Sequence, residues 1–130
     1  MTTVSIAIPC YNSAKTLSAV VDELRAVIRQ RSEFDYQIIL VNDCSKDDTF
    51  EVIRSLCQAD DKITGVDLSR NFGQTVAKMA ALPYVRGDVL VFMDDDGQHP
   101  ADQIFALVDK VLAGYDLVYA RFGHKHLSFF

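Results

Sequence analysis

The sequence predicts an α/β domain of three layers, α/β/α, around a mostly parallel sheet. Three observations lead there. Short apolar, β-branched runs alternate regularly with helical stripes. The runs are apolar throughout rather than at every second residue, as in strands covered on both faces. Strand and helix follow one another in strict order, the pattern of a sheet with helices on both sides. At 130 residues the chain fits a single domain.

The strands are "VSIAI" (4–8), "YQIILV" (36–41), "ITGVDL" (63–68), "VLVFM" (89–93) and "DLVYA" (116–120). Between the first two, Leu17, Val20, Val21, Leu24, Val27 and Ile28 fall at helical spacing, with Asp22, Glu23, Arg25 and Arg29 outside the stripe. Val52, Ile53, Leu56 and Cys57 mark a second helix, for which Asp47 or Asp48 is a suitable N-cap. Residues 73–82 form a third, ended near Pro83. Ile104, Leu107, Val108, Val111 and Leu112 form a fourth, started by Pro100 and stopped by Gly114. The chain ends in "HLSFF" with no helix to cover the fifth strand. It is therefore expected to be the front part of a longer protein, and its uncovered apolar surface to favour self-association as a homo-oligomer.

Hydrophobic residues make up 49% and charged residues 24%, an ordinary globular balance. A net charge of −5 disfavours a general nucleic-acid binder, which must neutralise phosphates, and leaves room for local basic spots. Cys10, Cys44 and Cys57 are odd in number and show no paired spacing. Together with the lack of a signal-peptide pattern, they predict reduced, buried thiols in a cytoplasmic setting. No apolar run reaches the roughly 20 residues of a membrane helix, so this chain is expected to be soluble.

Open α/β sheets bind ligands outside the carboxyl ends of their strands. Those ends carry "PCYNS" (9–13), "NDCSKDD" (42–48), "LSRNFG" (68–73), "DDDGQH" (94–99) and Arg121. Nearly all the chemically notable polar residues thus share one edge. In "MDDDGQHP", residues two apart on an extended stretch point to the same side. Asp94 and Asp96 converge there, Asp95 turns away, and Gln98 continues the first side. Two carboxylates and an amide oxygen suit a hard cation, Mg²⁺ or Mn²⁺, which relieves the repulsion between them. His99 is adjacent, but no Cys/His cluster points to zinc. An acidic cap on the following helix would account for Asp96 but poorly for three carboxylates in a row.

The other loops suit a base, a ribose and phosphates. Tyr11 offers a stacking face and Asn12 a donor and acceptor. Asp43 can accept from a ring N–H or ribose hydroxyls, Arg70 brings charge for phosphate, and Gly73 permits close approach. The plainer alternatives are that Tyr11 packs, that Asn12 and Ser13 cap a helix, and that Asp43 caps a turn.

The stretches "VSIAIPCYNSAKTL", "IILVNDCSKDDT", "VDLSRNFGQ" and "GDVLVFMDDDGQHP" resemble the family 2 glycosyltransferases of GT-A fold. They are most similar to the branch that transfers sugars to polyprenyl phosphates, which includes dolichyl-phosphate mannosyltransferase. The resemblance runs from about residue 3 to residue 121. It implies that Pro9, Tyr11, Asn12 and Asp43 hold the nucleobase and that Arg70, Asn71 and Gly73 lie by the nucleotide. Asp94, Asp96 and Gln98 would hold the metal, with Asp94 also at the diphosphate, and Arg121 would help hold the phosphates. Asn42, Cys44, Asp95 and Gly97 depart from the family's usual residues at their positions. Residues 1–130 would then be the nucleotide-sugar-binding N-terminal part of a GT-A domain, without the acceptor-binding and membrane parts.

The implied reaction is inverting displacement at the anomeric carbon of a UDP- or GDP-sugar, with Asp94 and Asp96 as the catalytic pair and the cation stabilising the departing diphosphate. A polyprenyl phosphate acceptor needs no strong general base. A polysaccharide hydroxyl acceptor, the alternative, would need a carboxylate. The whole protein would work at the cytoplasmic face of the membrane, and the 130-residue chain alone would bind nucleotide weakly without turnover. A phospho-acceptor receiver domain is a distant alternative. Its acidic pair should follow the first strand, where "PCYNS" stands, and a Lys should follow the fifth, where Arg121 stands.

Overall fold

A computed structural model describes residues 1–95 and 103–114. The predicted fifth strand (116–120), Pro100, and the site residues Asp96, Gln98, His99 and Arg121 lie outside the described residues. In chain order the elements are β1 (Thr2–Cys10), α1 (Leu17–Arg29), β2 (Phe34–Asn42), α2 (Thr49–Ala59), β3 (Ile63–Asp67), α3 (Gln74–Ala81), a 3₁₀ turn (Leu82–Tyr84), β4 (Val89–Phe92) and α4 (Ile104–Leu112). The sheet runs β3-β2-β1-β4 and every pair is parallel.

β1 and β2 are longer than their apolar runs because they are the central strands. Each hydrogen-bonds on both sides, and the ladder carries through polar residues from Thr2↔Phe34 to Cys10↔Asn42. Their side chains alternate between two covers. Val4, Ile6, Ile8, Ile38 and Leu40 face α1, α2 and α4 in the larger core. Ala7, Ile39 and Val41 face Ala77 and Ala81 of α3 in the smaller one. The α1 stripe is buried as its spacing predicts, with Val27 packed at the margin.

α4 departs from the prediction. Ile104, Phe105 and Val108 are its buried residues, Leu107 is half-buried and Leu112 is 51% exposed. Phe105 turns the helix because its ring stacks on Phe34 with centroids 5.2 Å apart, and the Arg31 guanidinium lies 5.0 Å from its centre.

A buried polar clasp fixes β4 beside β1. Ser5 Oγ donates to Gln37 Oε1 (2.7 Å), and Gln37 Nε2 donates to the Tyr84 carbonyl (2.7 Å). The Gly87 amide donates to Ser5 Oγ (2.9 Å). A Cβ at Gly87 would lie 2.5 Å from Ser5 Oγ and 2.8 Å from the Thr3 carbonyl, so only glycine lets the chain enter β4 this closely. Among the described residues no helix is long and apolar enough to cross a membrane.

Candidate functional site

Among the described residues four loops leave the carboxyl edge of the sheet, and side chains tie them to one another. The loop after β1 is held on both flanks. Asn12 adopts φ +51°, a conformation asparagine tolerates better than most residues. Its amide donates to Ser45 Oγ (3.0 Å) and its Oδ1 accepts from the Lys46 amide (2.8 Å). On the other flank the Tyr11 amide donates to Asp95 Oδ2 (3.0 Å). The Tyr11 side chain itself is 42% exposed and open to a stacking partner. Pro9 is buried as a residue of β1.

Asp43 is 4% exposed and joins the second loop to the third. Its Oδ1 accepts from the Phe72 amide (2.8 Å) and its Oδ2 from the Gly73 amide (3.0 Å). Gly73 adopts φ +92°, where a side chain would be strained, and its carbonyl accepts the first helical bond of α3 from Ala77 (3.0 Å). Arg70 and Asn71 are exposed, and the Arg70 guanidinium lies 5.5 Å from the centre of the Phe72 ring. The fourth loop is tied to α3, since Gln74 Nε2 donates to Asp94 Oδ1 (2.9 Å). Asp94 and Asp95 therefore reach to different partners, one towards α3 and the other towards the β1 loop, as alternation on an extended stretch requires.

Of the two N-cap candidates the sequence offers, Asp47 bonds the helix start, while Gln74 and the Asn42–Asp67 pair are ties that the sequence did not single out. Asp47 supplies the carboxylate that caps α2. It accepts from the Thr49 amide (3.0 Å), the Thr49 hydroxyl and the Ala14 amide (3.2 Å). The Thr49 hydroxyl does most to hold the Asp47 carboxyl below its ordinary range. Asp48 occupies the N-cap position with no side-chain cap bond. The spacing Asp-x-Thr at a helix start carried that signal. Gln74 was legible only as the residue after "RNFG", and the Asn42–Asp67 bond (2.8 Å) joins two strand ends that no local pattern connects. An open cleft lined by Asn12, Ser13, Lys15, Thr16, Asp47 and Asp48 flanks the β1 loop.

Among the cysteines, Cys10 is fully buried and burial pushes its thiol far above the ordinary range. Cys44 and Cys57 are half-buried, not buried as predicted. Cys44 sits at φ +54° in the loop after β2, where it leaves the strand's two-sided cover. Cys57 lies at the margin of the larger core.

Chemically, the edge presents carboxylates whose hydrogen bonds above come from amide N–H groups and hydroxyls. Such donors leave a carboxylate its negative charge, which suits a divalent cation better than an anion. Among the described residues no group of three or more His, Cys, Asp or Glu is placed to hold a metal. Asp94 is the described member of the predicted ligand set, and the oxygen chemistry of Asp94, Asp96 and Gln98 fits Mg²⁺ or Mn²⁺.

A parallel sheet of this order, with this carboxyl edge, defines the class: a GT-A glycosyltransferase domain. The mannosyltransferase PcManGT from Pyrobaculum calidifontis, solved with GDP-Man and Mn²⁺, matches with a TM-score of 0.70 at 25% identity, over 85% of this chain and 32% of that one. The chain belongs to glycosyl transferase family 2, whose family model matches residues 5–128. The glycosyltransferase YkcC of Bacillus subtilis is 35% identical over 127 residues, 97% of this chain and 39% of that protein. The undecaprenyl-phosphate 4-deoxy-4-formamido-L-arabinose transferase of Aeromonas hydrophila is 36% identical over 128 residues, 98% of this chain and 39% of that protein. The chain thus spans about 39% of the length of these two relatives.

Proposed function

We propose that residues 1–130 are the donor-binding part of an inverting glycosyltransferase that uses a UDP- or GDP-sugar. The observation that carries this reading is the tying of all four carboxyl-edge loops into one surface through Tyr11–Asp95, Asp43–Gly73 and Gln74–Asp94. Tyr11 stacks on the base and Asn12 borders it. The lone pairs left on the Asp43 carboxylate accept from the base or ribose, as each oxygen takes one amide among the described residues. Arg70, Asn71 and Gly73 lie along the phosphates, with Arg121 closing that side. Asp94, Asp96 and Gln98 hold Mg²⁺ or Mn²⁺, which supplies charge neutralisation for the departing diphosphate.

The acceptor we infer is a polyprenyl phosphate, in keeping with the undecaprenyl-phosphate transferase from Aeromonas hydrophila. Its phosphate oxygen is already anionic near neutral pH, so no general base is required of this chain. The whole protein would then act at the cytoplasmic face of a membrane. Self-association would use the exposed apolar side chains of α3 and β4, Val76, Met79 and Phe92. A chain that sediments as a monomer at high concentration removes that part of the reading.

The function is tested by calorimetric titration of the chain with UDP and with GDP, each with Mn²⁺ and with EDTA. Metal-dependent binding of one nucleotide supports the reading and identifies the donor class. Folded protein that binds neither contradicts it.

A further inference from the structure

We propose that Asp95 is a positioning residue for nucleotide binding: its carboxylate suspends the Tyr11 loop from the acidic segment. The inference rests on the donor-site reading above. Odd-numbered residues of β1 face β4, since the carbonyls of Thr3 and Ala7 accept from the amides of Asp88 (2.7 Å) and Met93 (3.0 Å). Even-numbered Cys10 turns its carbonyl to the other side, to the Asp43 amide (2.9 Å). Pro9 is the next odd residue and has no N–H to donate, and the β1–β4 register ends at Ala7↔Phe92.

Tyr11 follows two residues on, beyond the ladder, and its amide still points to the β4 side. Asp95 Oδ2 meets it at 3.0 Å. The Asp95 carbonyl also accepts from Thr16 Oγ1 at 3.1 Å, just before α1 begins. One residue therefore grips both ends of the segment from Tyr11 to Thr16, and the bond to Tyr11 carries the carboxylate's charge. Asp94, one residue earlier, is turned to Gln74. The acidic segment thus has one carboxylate directed to the cation side and one to the base-binding loop, so both halves of the donor are registered from a single stretch of chain.

Asp95→Ala removes the acceptor, whereas Asp95→Asn keeps an oxygen for the Tyr11 amide and removes the charge. Each variant is titrated with UDP and GDP in Mn²⁺ and with Mn²⁺ alone, and Tyr11 amide exchange is followed by NMR. For Asp95→Ala we expect nucleotide affinity about five- to tenfold weaker, and Tyr11 exchange faster by a similar factor, the worth of one such bond. Asp95→Asn should recover most of both, and Mn²⁺ alone should bind within about threefold of wild type in either variant. Wild-type affinity and Tyr11 exchange in Asp95→Ala overturn the inference. So does loss of Mn²⁺ affinity in Asp95→Asn and Asp95→Ala alike, which would make Asp95 a ligand. A wild-type chain that binds neither nucleotide overturns the donor-site reading instead, and this inference with it.

Discussion

The two edges of the sheet differ less in whether aspartate accepts main-chain amides, which Asp35, Asp60 and Asp88 do at the amino edge too, than in whether it also meets a cation. At the amino edge, acids meet cations: Asp35 pairs with Lys62, Asp60 with Arg25 at 3.3 Å, and Asp109 with Arg31 at 2.9 Å. At the carboxyl edge, Asp43, Asp47 and Asp95 accept from main-chain amides, Asp47 also from a hydroxyl, and Asp67 from the Asn42 amide. An ion pair cancels charge locally, whereas an amide fixes a carboxylate's position and leaves its charge in place. The first arrangement closes the bottom of the fold. The second builds a negative, pre-positioned surface, the one that the proposed function assigns to a cation and a nucleotide.

The contrast breaks most visibly if a carboxyl-edge acid can be removed without consequence for binding. Asp94→Ala or Asp96→Ala should cost more than about a hundredfold in metal-dependent nucleotide affinity, with urea stability lowered by less than about 1 kcal/mol. Calorimetry and urea melts on the same samples check both. Asp43→Ala should fail on both counts. It leaves the Phe72 and Gly73 amides without their acceptor, about 2–3 kcal/mol of stability, and it frees the loop that carries Arg70.

At the amino edge the signs reverse. Asp60→Ala removes the acceptor of the Tyr36 hydroxyl (2.7 Å) and of the Lys62 amide (2.9 Å). The loss should be about 1–2 kcal/mol in a urea melt, with nucleotide affinity unchanged. Burial pushes the Asp60 carboxyl up, but the Tyr36 hydroxyl, the Lys62 amide and Arg25 outweigh it and hold the group below its ordinary 3.8. A depressed carboxyl stabilises the fold above its unfolded value and loses that contribution as the pH falls through the folded one. Wild-type stability should therefore drop more steeply than that of Asp60→Ala below about pH 4, which urea melts from pH 6 to 3 would register. The smallest effect belongs to Lys62→Met. Its pair with Asp35 leaves both side chains about two-fifths exposed, and solvent screens such pairs, so the urea midpoint should stay within experimental scatter.

How much of this was legible beforehand follows from the range of each signal. The strands and helices are local patterns, and the rule that ligands sit at the carboxyl edge picked out Tyr11, Asn12, Asp43, Gly73 and Asp94 before any coordinates. The ties between loops are not local. Asp43 bonds residues 29 and 30 positions away, and Tyr11 and Asp95 stand 84 apart, so their pairing depends on the β1–β4 register. α4 misled for a related reason. Its sequence offers two overlapping apolar stripes, and the contact of Phe105 with Phe34, from a distant strand, chooses between them.

Nine residues of β2 separate the two edges by roughly 26 Å, which allows a direct test. In a ¹H–¹⁵N spectrum of the chain with UDP or GDP, substoichiometric Mn²⁺ broadens the amides nearest the bound ion. Tyr11, Asp43, Gly73 and Asp94 should broaden while Asp35, Tyr36 and Lys62 stay sharp. Broadening centred on Asp35 and Lys62, or spread evenly over both edges, would contradict a cation site at the carboxyl edge.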